Sequence, residues 1–285
     1  MKPEAVELSR CPDEIAQIAV AGLQLSEAAL QSQLVQSQHR ARIALAWDVR
    51  EGQRLLELGC GQGDMTAVLA AMVGSSGHVT AIDPGSPDYG APVTLGEAIA
   101  RLTAGPLGGR LNVQLGTGLS SPTLALPFEH YDAAVMAHCS WYFASQDSLV
   151  ETFSCLAGRT RQLLLSEWDI RAESPSQIPH LLTVLLRRAL SVPLPDDNIR
   201  TPISQTEMIA LLSQAGWSVE QVTEIDSNQL QDGGWEVDMM LDRLLHDPAL
   251  GSVQLMSDTN LEKLRTALLR SQIESMPSYA LVCRR

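Results

Sequence analysis

The chain has 285 residues and a formal net charge of −13, long enough for one large core and too acidic to favour binding nucleic acid through its phosphates. Its 45% hydrophobic and 4% aromatic content suits a parallel sheet covered by helices, and no apolar run nears the ~20 residues of a bilayer span. The five cysteines, at 11, 60, 139, 155 and 283, form no C-x-x-C pair and match no zinc spacing, so they read as free thiols in a reducing compartment, with no metal site expected.

The segment Met1 to Ala5 lacks the basic and apolar blocks of a signal peptide, which predicts a cytoplasmic protein. Residues 13–47 predict one or two helices broken near Gly22 and Ser26, with Ser26 as an N-cap. Val35, His39 and Ile43 follow at i, i+4, i+8 and set His39 on a partly apolar face. Predicted strands at 54–58, 78–82, 111–115, 131–137 and 161–167 alternate with helices at 65–73, 94–104 and 147–157. That alternation predicts an α/β fold with a doubly wound, mostly parallel sheet.

After the fifth strand the rhythm changes. Prolines at 175, 179, 193, 195 and 202 surround an apolar helix from Leu181 to Val192, which reads as an insertion. Ser204 and Glu207 form a capping box opening a helix that stops at Gly216. Sixth and seventh strands are predicted at Trp217 to Ile225 and Ser278 to Cys283. Between them lie helices at Trp235 to His246 and Leu261 to Ile273, which form either a lid over the strand ends or a homodimer face. The expected organisation is an N-terminal helical cap (1–50), a cofactor-binding core (51–170), a helical insertion (171–205) and a C-terminal core part (206–285) with a lid insertion at about 226–277.

The most informative run is Leu55-Leu56-Glu57-Leu58-Gly59-Cys60-Gly61-Gln62-Gly63-Asp64. A strand ends in an acid, and three alternate glycines then let the backbone turn tightly and approach a ligand. The second strand ends in Asp83, placed where a carboxylate meets a ribose diol in a doubly wound sheet. Neither glycine frame completes G-x-G-x-x-G, because Asp64 and Thr66 occupy the last positions. Acids at 57 and 64 would repel a pyrophosphate and suit a cationic head group instead. Together these parts describe a site for an adenine nucleoside without phosphate, and S-adenosylmethionine is the first candidate for it, ahead of a nicotinamide or flavin cofactor.

The run from Leu56 to Gly63, with Ile82-Asp83, resembles the first and second motifs of class I S-adenosylmethionine-dependent methyltransferases. The likeness covers roughly residues 40–170. It implies a seven-stranded Rossmann-like sheet whose last strand inserts antiparallel. It also implies that Glu57, Gly59, Cys60, Gly61 and Gly63 hold the amino-acid end of the cofactor, and Asp83 with Pro84 its ribose. Where many family members place an adenine-binding acid after the third strand, this chain has Gly116-Thr117-Gly118, so backbone groups or the Thr117 hydroxyl take that role. The stretch from Asp83 to Ala98 further resembles a subgroup acting on small metabolites, which implies a secondary-metabolism substrate.

Ligands of open α/β sheets bind beyond the carboxyl ends of the strands. There the fourth strand runs into His138-Cys139-Ser140-Trp141-Tyr142-Phe143, the densest polar and aromatic run in the chain. His138 is the first candidate for a general base and for a cofactor contact, and His39 is the second base candidate. Trp141, Tyr142 and Trp168 are candidate walls of the substrate pocket, with Asp169 beside them. His180 and His246 read as surface or lid residues. Cys60 and Cys139 lack a neighbouring base and are not expected to be nucleophiles. The residues thus predict methyl transfer to O or N of a small, fairly apolar metabolite. Two alternatives stay open: a non-catalytic cofactor-binding regulator, and a cyclase or isomerase assisted by the bound sulfonium.

Overall fold

A computed structural model describes residues 11–23, 25–190, 198–250 and 257–285. The expectations for the signal-peptide region and for the end of the helix running to Val192 lie outside these residues. The strands are β1 (Arg54–Leu58), β2 (His78–Asp83), β3 (Leu111–Leu115), β4 (Ala133–Ala137), β5 (Gln162–Trp168), β6 (Ser218–Ile225) and β7 (Ser278–Arg284). They form one sheet in the order β3-β2-β1-β4-β5-β7-β6. β1 to β5 are mutually parallel, and β7 runs antiparallel between β5 and β6. The chain order reverses between β1 and β4, which makes the gap beyond their carboxyl ends the switch point where such sheets bind ligands.

Side chains alternate between the faces of a strand, and the core divides accordingly. Leu55, Val79, Val135 and Leu164 bury one face beneath helices α1 (Pro12–Val20), α2 (Glu27–Ala46), α3 (Asp64–Val73) and α4 (Leu95–Ala104). Leu56, Met136, Leu163 and Leu165 bury the other beneath α5 (Gln146–Leu156) and α7 (Gln205–Gln214). Both predicted caps form: the Ser26 hydroxyl accepts from the Ala29 N–H, and Ser204 with Glu207 closes a capping box. The insertion helix, α6, spans Ile178–Ala189 and so opens three residues before the predicted start. Pro179 fits its first turn because that position has no intrahelical donor to lose. The helices between β6 and β7 are α8 (Asp232–His246) and α9 (Asp258–Arg270). α8 packs against α6. Among the described residues no helix is long and apolar enough to cross a membrane.

Two residues expected at the ligand instead belong to the interior. Trp141 is 2% exposed, sits in the core on the α5 face, and donates its indole N–H to the Ile203 carbonyl at 3.3 Å. The one-turn helix of residues 140–142 points this ring inward while Tyr142, next along, stands half exposed. Truncating a buried tryptophan removes apolar contact and leaves a cavity, a loss of about 3–5 kcal/mol. Glu57 shares the face of Leu55, is 1% exposed, and has one carboxyl oxygen with no hydrogen-bond partner. Burial is the main cause that pushes its carboxyl up from the ordinary 4.5 to about 7, with the acids at 64 and 83 adding to it.

These placements set two expected outcomes. Trp141→Ala should lower unfolding stability by about 3–5 kcal/mol in a denaturant titration; a loss confined to substrate affinity would return the ring to the pocket. Because the folded chain holds the Glu57 proton more tightly than the unfolded one, folding stability falls as pH rises from 4.5 to about 7 and the cost persists above it. Glu57→Gln removes this cost, so its melting temperature should gain on wild type across that window and then stay offset. A difference independent of pH would contradict the assignment.

Candidate active site

The glycine run leaves β1 with Gly59, Gly61 and Gly63 all at positive φ (73°, 53° and 90°), the left-handed region that L side chains avoid. At Gly59 a Cβ would lie 2.6 Å from the Cβ of Cys139, so where the turns after β1 and β4 meet the bare Gly59 backbone packs against the Cys139 side chain. Around Gly61 a Cβ would meet nothing within 4 Å, which leaves its backbone facing open space. Asp83 closes this loop from β2. Its Oδ2 accepts the Gly61 N–H at 2.8 Å and its Oδ1 the Gly85 N–H at 2.7 Å. Its carbonyl accepts the Thr117 N–H at 2.9 Å, which brings in the turn after β3.

These strand ends surround a cavity of about 430 Å³, within the ~300–1,000 Å³ usual for small-molecule sites. Gly59, Gly61, Asp83, Pro84, Thr117 and Gly118 line it together with Tyr142. Leu58, Ile82, Leu119 and Phe143 make the rest of its wall largely apolar. Seven residues singled out in the sequence are thereby brought together. Glu57, Cys60, Gly63, Trp141, Trp168, His39 and His138 are not part of this lining. The Cys60 thiol is buried and its protonated form is favoured by that burial. Gly63 faces a separate cavity of about 190 Å³ with Gln33, Ser37 and Asp64.

A nucleoside with a cationic end fits these groups. A carboxylate has about four acceptor positions, and the two backbone donors on Asp83 leave others for a ribose diol. The open backbone at Gly61 accepts close approach, and Asp64 stands at the mouth of α3. α2 covers that mouth: Gln33 donates to Asp64 at 2.7 Å and the Arg40 guanidinium lies 3.6 Å from the same carboxylate.

Beside the cavity is a second cluster. His138 follows β4 at φ 50°, a sparsely populated conformation for a side chain with a Cβ. Its Nδ1 lies 3.4 Å from Oε1 of Glu167, and its Nε2 lies 3.4 Å from Nε2 of His39. Trp168 packs against both rings, with centroids 4.7 Å from His138 and 6.3 Å from His39. His39 is fully buried, and burial is the main cause that holds its imidazole well below the ordinary range; the His138 and Arg40 charges add to it. Glu167, 1% exposed, accepts from the Ser140 N–H at 2.9 Å, the Ser140 hydroxyl at 2.6 Å, the Trp141 N–H at 3.4 Å and the Trp168 N–H at 3.1 Å.

Glu167 was not singled out in the sequence, although an acid inside the apolar run of β5 is a signal in itself, since a buried carboxylate requires donors. His180 was expected at the surface or on a lid; it lies on α6 and is completely buried, so it is not a surface residue. Its Nδ1 accepts the Met276 N–H at 3.0 Å, its ring meets Trp168 edge-on, and its Nε2 lies 3.5 Å from Glu236 on α8. His246 is exposed. Among the described residues no group of His, Cys, Asp and Glu is placed to hold a metal ion.

Comparison with known proteins agrees with this geometry. Residues 30–222 match the family described as a methyltransferase domain. A solved cyclopropane-fatty-acyl-phospholipid synthase-like protein from Lactobacillus casei is 35% identical with a TM-score of 0.81, over 96% of this chain and 98% of that one. Methyltransferase phomM' of Diaporthe leptostromiformis is 28% identical over 227 residues, 66% of this chain, and the chain spans only 59% of that protein's length. A 2-phytyl-1,4-naphtoquinone methyltransferase of Synechococcus elongatus is 34% identical over 112 residues, 38% of this chain and 44% of that protein. With its glycine loop, its second-strand acid and its antiparallel last strand, the chain belongs to the class I S-adenosylmethionine-dependent methyltransferase family.

Proposed function

We infer that this protein transfers a methyl group from S-adenosylmethionine to oxygen or nitrogen of a small, fairly apolar acceptor. The observation that carries this reading is the cavity at the switch point, with the glycine backbone and Asp83 at one end and an apolar wall at the other. When bound, the cofactor supplies an electrophilic methyl group on a sulfonium. The chain's own part is to bind, align and exclude water, which can supply much of the barrier reduction in a displacement. Asp83 takes the ribose hydroxyls, the Gly59–Gly61 backbone cradles the amino-acid end, and Thr117 with Gly118 meets the adenine. Tyr142, Phe143 and Leu119 offer the acceptor an apolar surface. His138, in the turn between β4 and this wall, is the candidate base.

An apolar acceptor also agrees with what the relatives are named for, a fatty-acyl-phospholipid synthase-like protein and a phytyl-naphthoquinone methyltransferase. A small-molecule acceptor suits the acidic surface better than nucleic acid does. We place the α6 and α8 helices as a lid on the acceptor side, because they carry the Glu236 and His180 contacts that reach Trp168.

The reading is tested by incubating the protein with S-adenosylmethionine and a panel of small phenols, quinols and amines, and reading products by mass spectrometry. The expected product replaces one acceptor hydrogen by methyl; products of unchanged mass would favour a cyclase or isomerase. Asp83→Asn keeps an acceptor for one backbone N–H but loses the charge. It should weaken cofactor affinity by roughly 10–100-fold, the range for losing charged hydrogen bonds; unchanged affinity in the folded variant contradicts the ribose role. His138→Ala should lower turnover of an acceptor by roughly 10²–10⁴-fold, the usual size of general-base catalysis, while cofactor affinity holds. Equal losses in both would make it a binding residue.

A further inference from the structure

His39 and His138 reach the same point from opposite sides, and each has its second nitrogen beside an acceptor. The Nδ1 of His39 lies 3.3 Å from the carbonyl oxygen of Asp226, which can only accept, so that nitrogen carries a hydrogen. The Nδ1 of His138 lies 3.4 Å from Oε1 of Glu167, again an acceptor, but makes no hydrogen bond in this geometry. With a hydrogen on the His138 Nδ1, the tautomer that a carboxylate beside it favours, both Nε2 atoms turn lone pairs toward each other at 3.4 Å. Two facing lone pairs repel, and one proton between them converts the repulsion into an N–H···N bond. A second proton would set two cations in contact in a buried place.

We propose that His39 and His138 act as one base that takes up a single proton between their Nε2 atoms, with Glu167 as the positioning residue that fixes the orientation of His138. The surroundings favour this division of labour. Arg40 and Arg42 on α2 disfavour charge on His39, which is 1% exposed. Glu167 on β5 lies 3.4 Å from His138, whose side chain is 14% exposed and is the more accessible ring of the pair. Trp168 packs between the pair and His180, which faces Glu236 instead. His138 holds a left-handed backbone conformation, φ 50°, with its ring against His39 of α2.

In the transfer step this deepens the proposed function and rests on it. The acceptor's X–H bond breaks, its electron pair forms the X–CH₃ bond, and the C–S pair stays on sulfur. The released proton goes to the paired Nε2 atoms. The substrate class is thereby narrowed to acceptors whose nucleophilic atom carries a removable proton, such as a phenol, quinol or amide.

The test is histidine-ring ¹⁵N NMR of the cofactor-free protein against pH, which needs no substrate. The His39 and His138 signals should move together through one shared one-proton step, with the second proton bound only at much lower pH. Glu167→Gln should move that shared step to lower pH, and His39→Gln should abolish the sharing while His138 still titrates. Two independent one-proton steps, each unmoved when the other ring is replaced, would overturn the proposal. Should Glu167→Gln fail to fold, the wild-type and His39→Gln titrations decide. A shared step in a protein that binds no S-adenosylmethionine would uphold the dyad and overturn the functional reading instead.

Discussion

The site depends on one carboxylate with two backbone donors. Asp83 accepts N–H groups from Gly61 and Gly85, and its own carbonyl accepts from Thr117, so the turns after β1, β2 and β3 are held at a single residue. The glycines follow from this. A loop folded back far enough to present Gly61 to Asp83 passes through left-handed conformations at 59, 61 and 63, and at 59 it presses against Cys139 from β4. The cavity is what remains between four strand ends tied this closely.

Across the switch point Glu167 plays a matching part with the opposite outcome. Asp83 is partly exposed and keeps acceptor positions for a ligand. Glu167 is buried, and its oxygens accept from Ser140, Trp141 and Trp168, so it holds the turn and faces His138 rather than a ligand. On the proposed reading one acid meets the cofactor, while the other orders the turn that carries His138. α2 completes both halves, with Gln33 and Arg40 at Asp64 and His39 at His138.

All seven strands were legible in the sequence to within about two residues, because alternating apolar strands and helices leave few topologies open. The glycine run and Asp83 were legible because close backbone approach restricts residue type. The aromatic run after β4 was harder to read. Adjacent residues of a one-turn helix point in different directions, so Trp141 entered the core and Tyr142 the cavity. His180 looked peripheral because the partners that bury it, Met276, Trp168 and Glu236, lie far away in the chain. The pairing of His39 with His138 spans 99 residues and left no local pattern.

The central claim is that the switch-point cavity binds an adenine nucleoside with a cationic end and no phosphate. Isothermal titration of the purified protein with S-adenosylmethionine, and separately with NAD, tests it most directly. Saturable one-to-one binding of S-adenosylmethionine in the micromolar range, with no heat from NAD, is the predicted result. Binding of NAD in place of S-adenosylmethionine, or of neither by folded protein free of co-purified ligand, would contradict it.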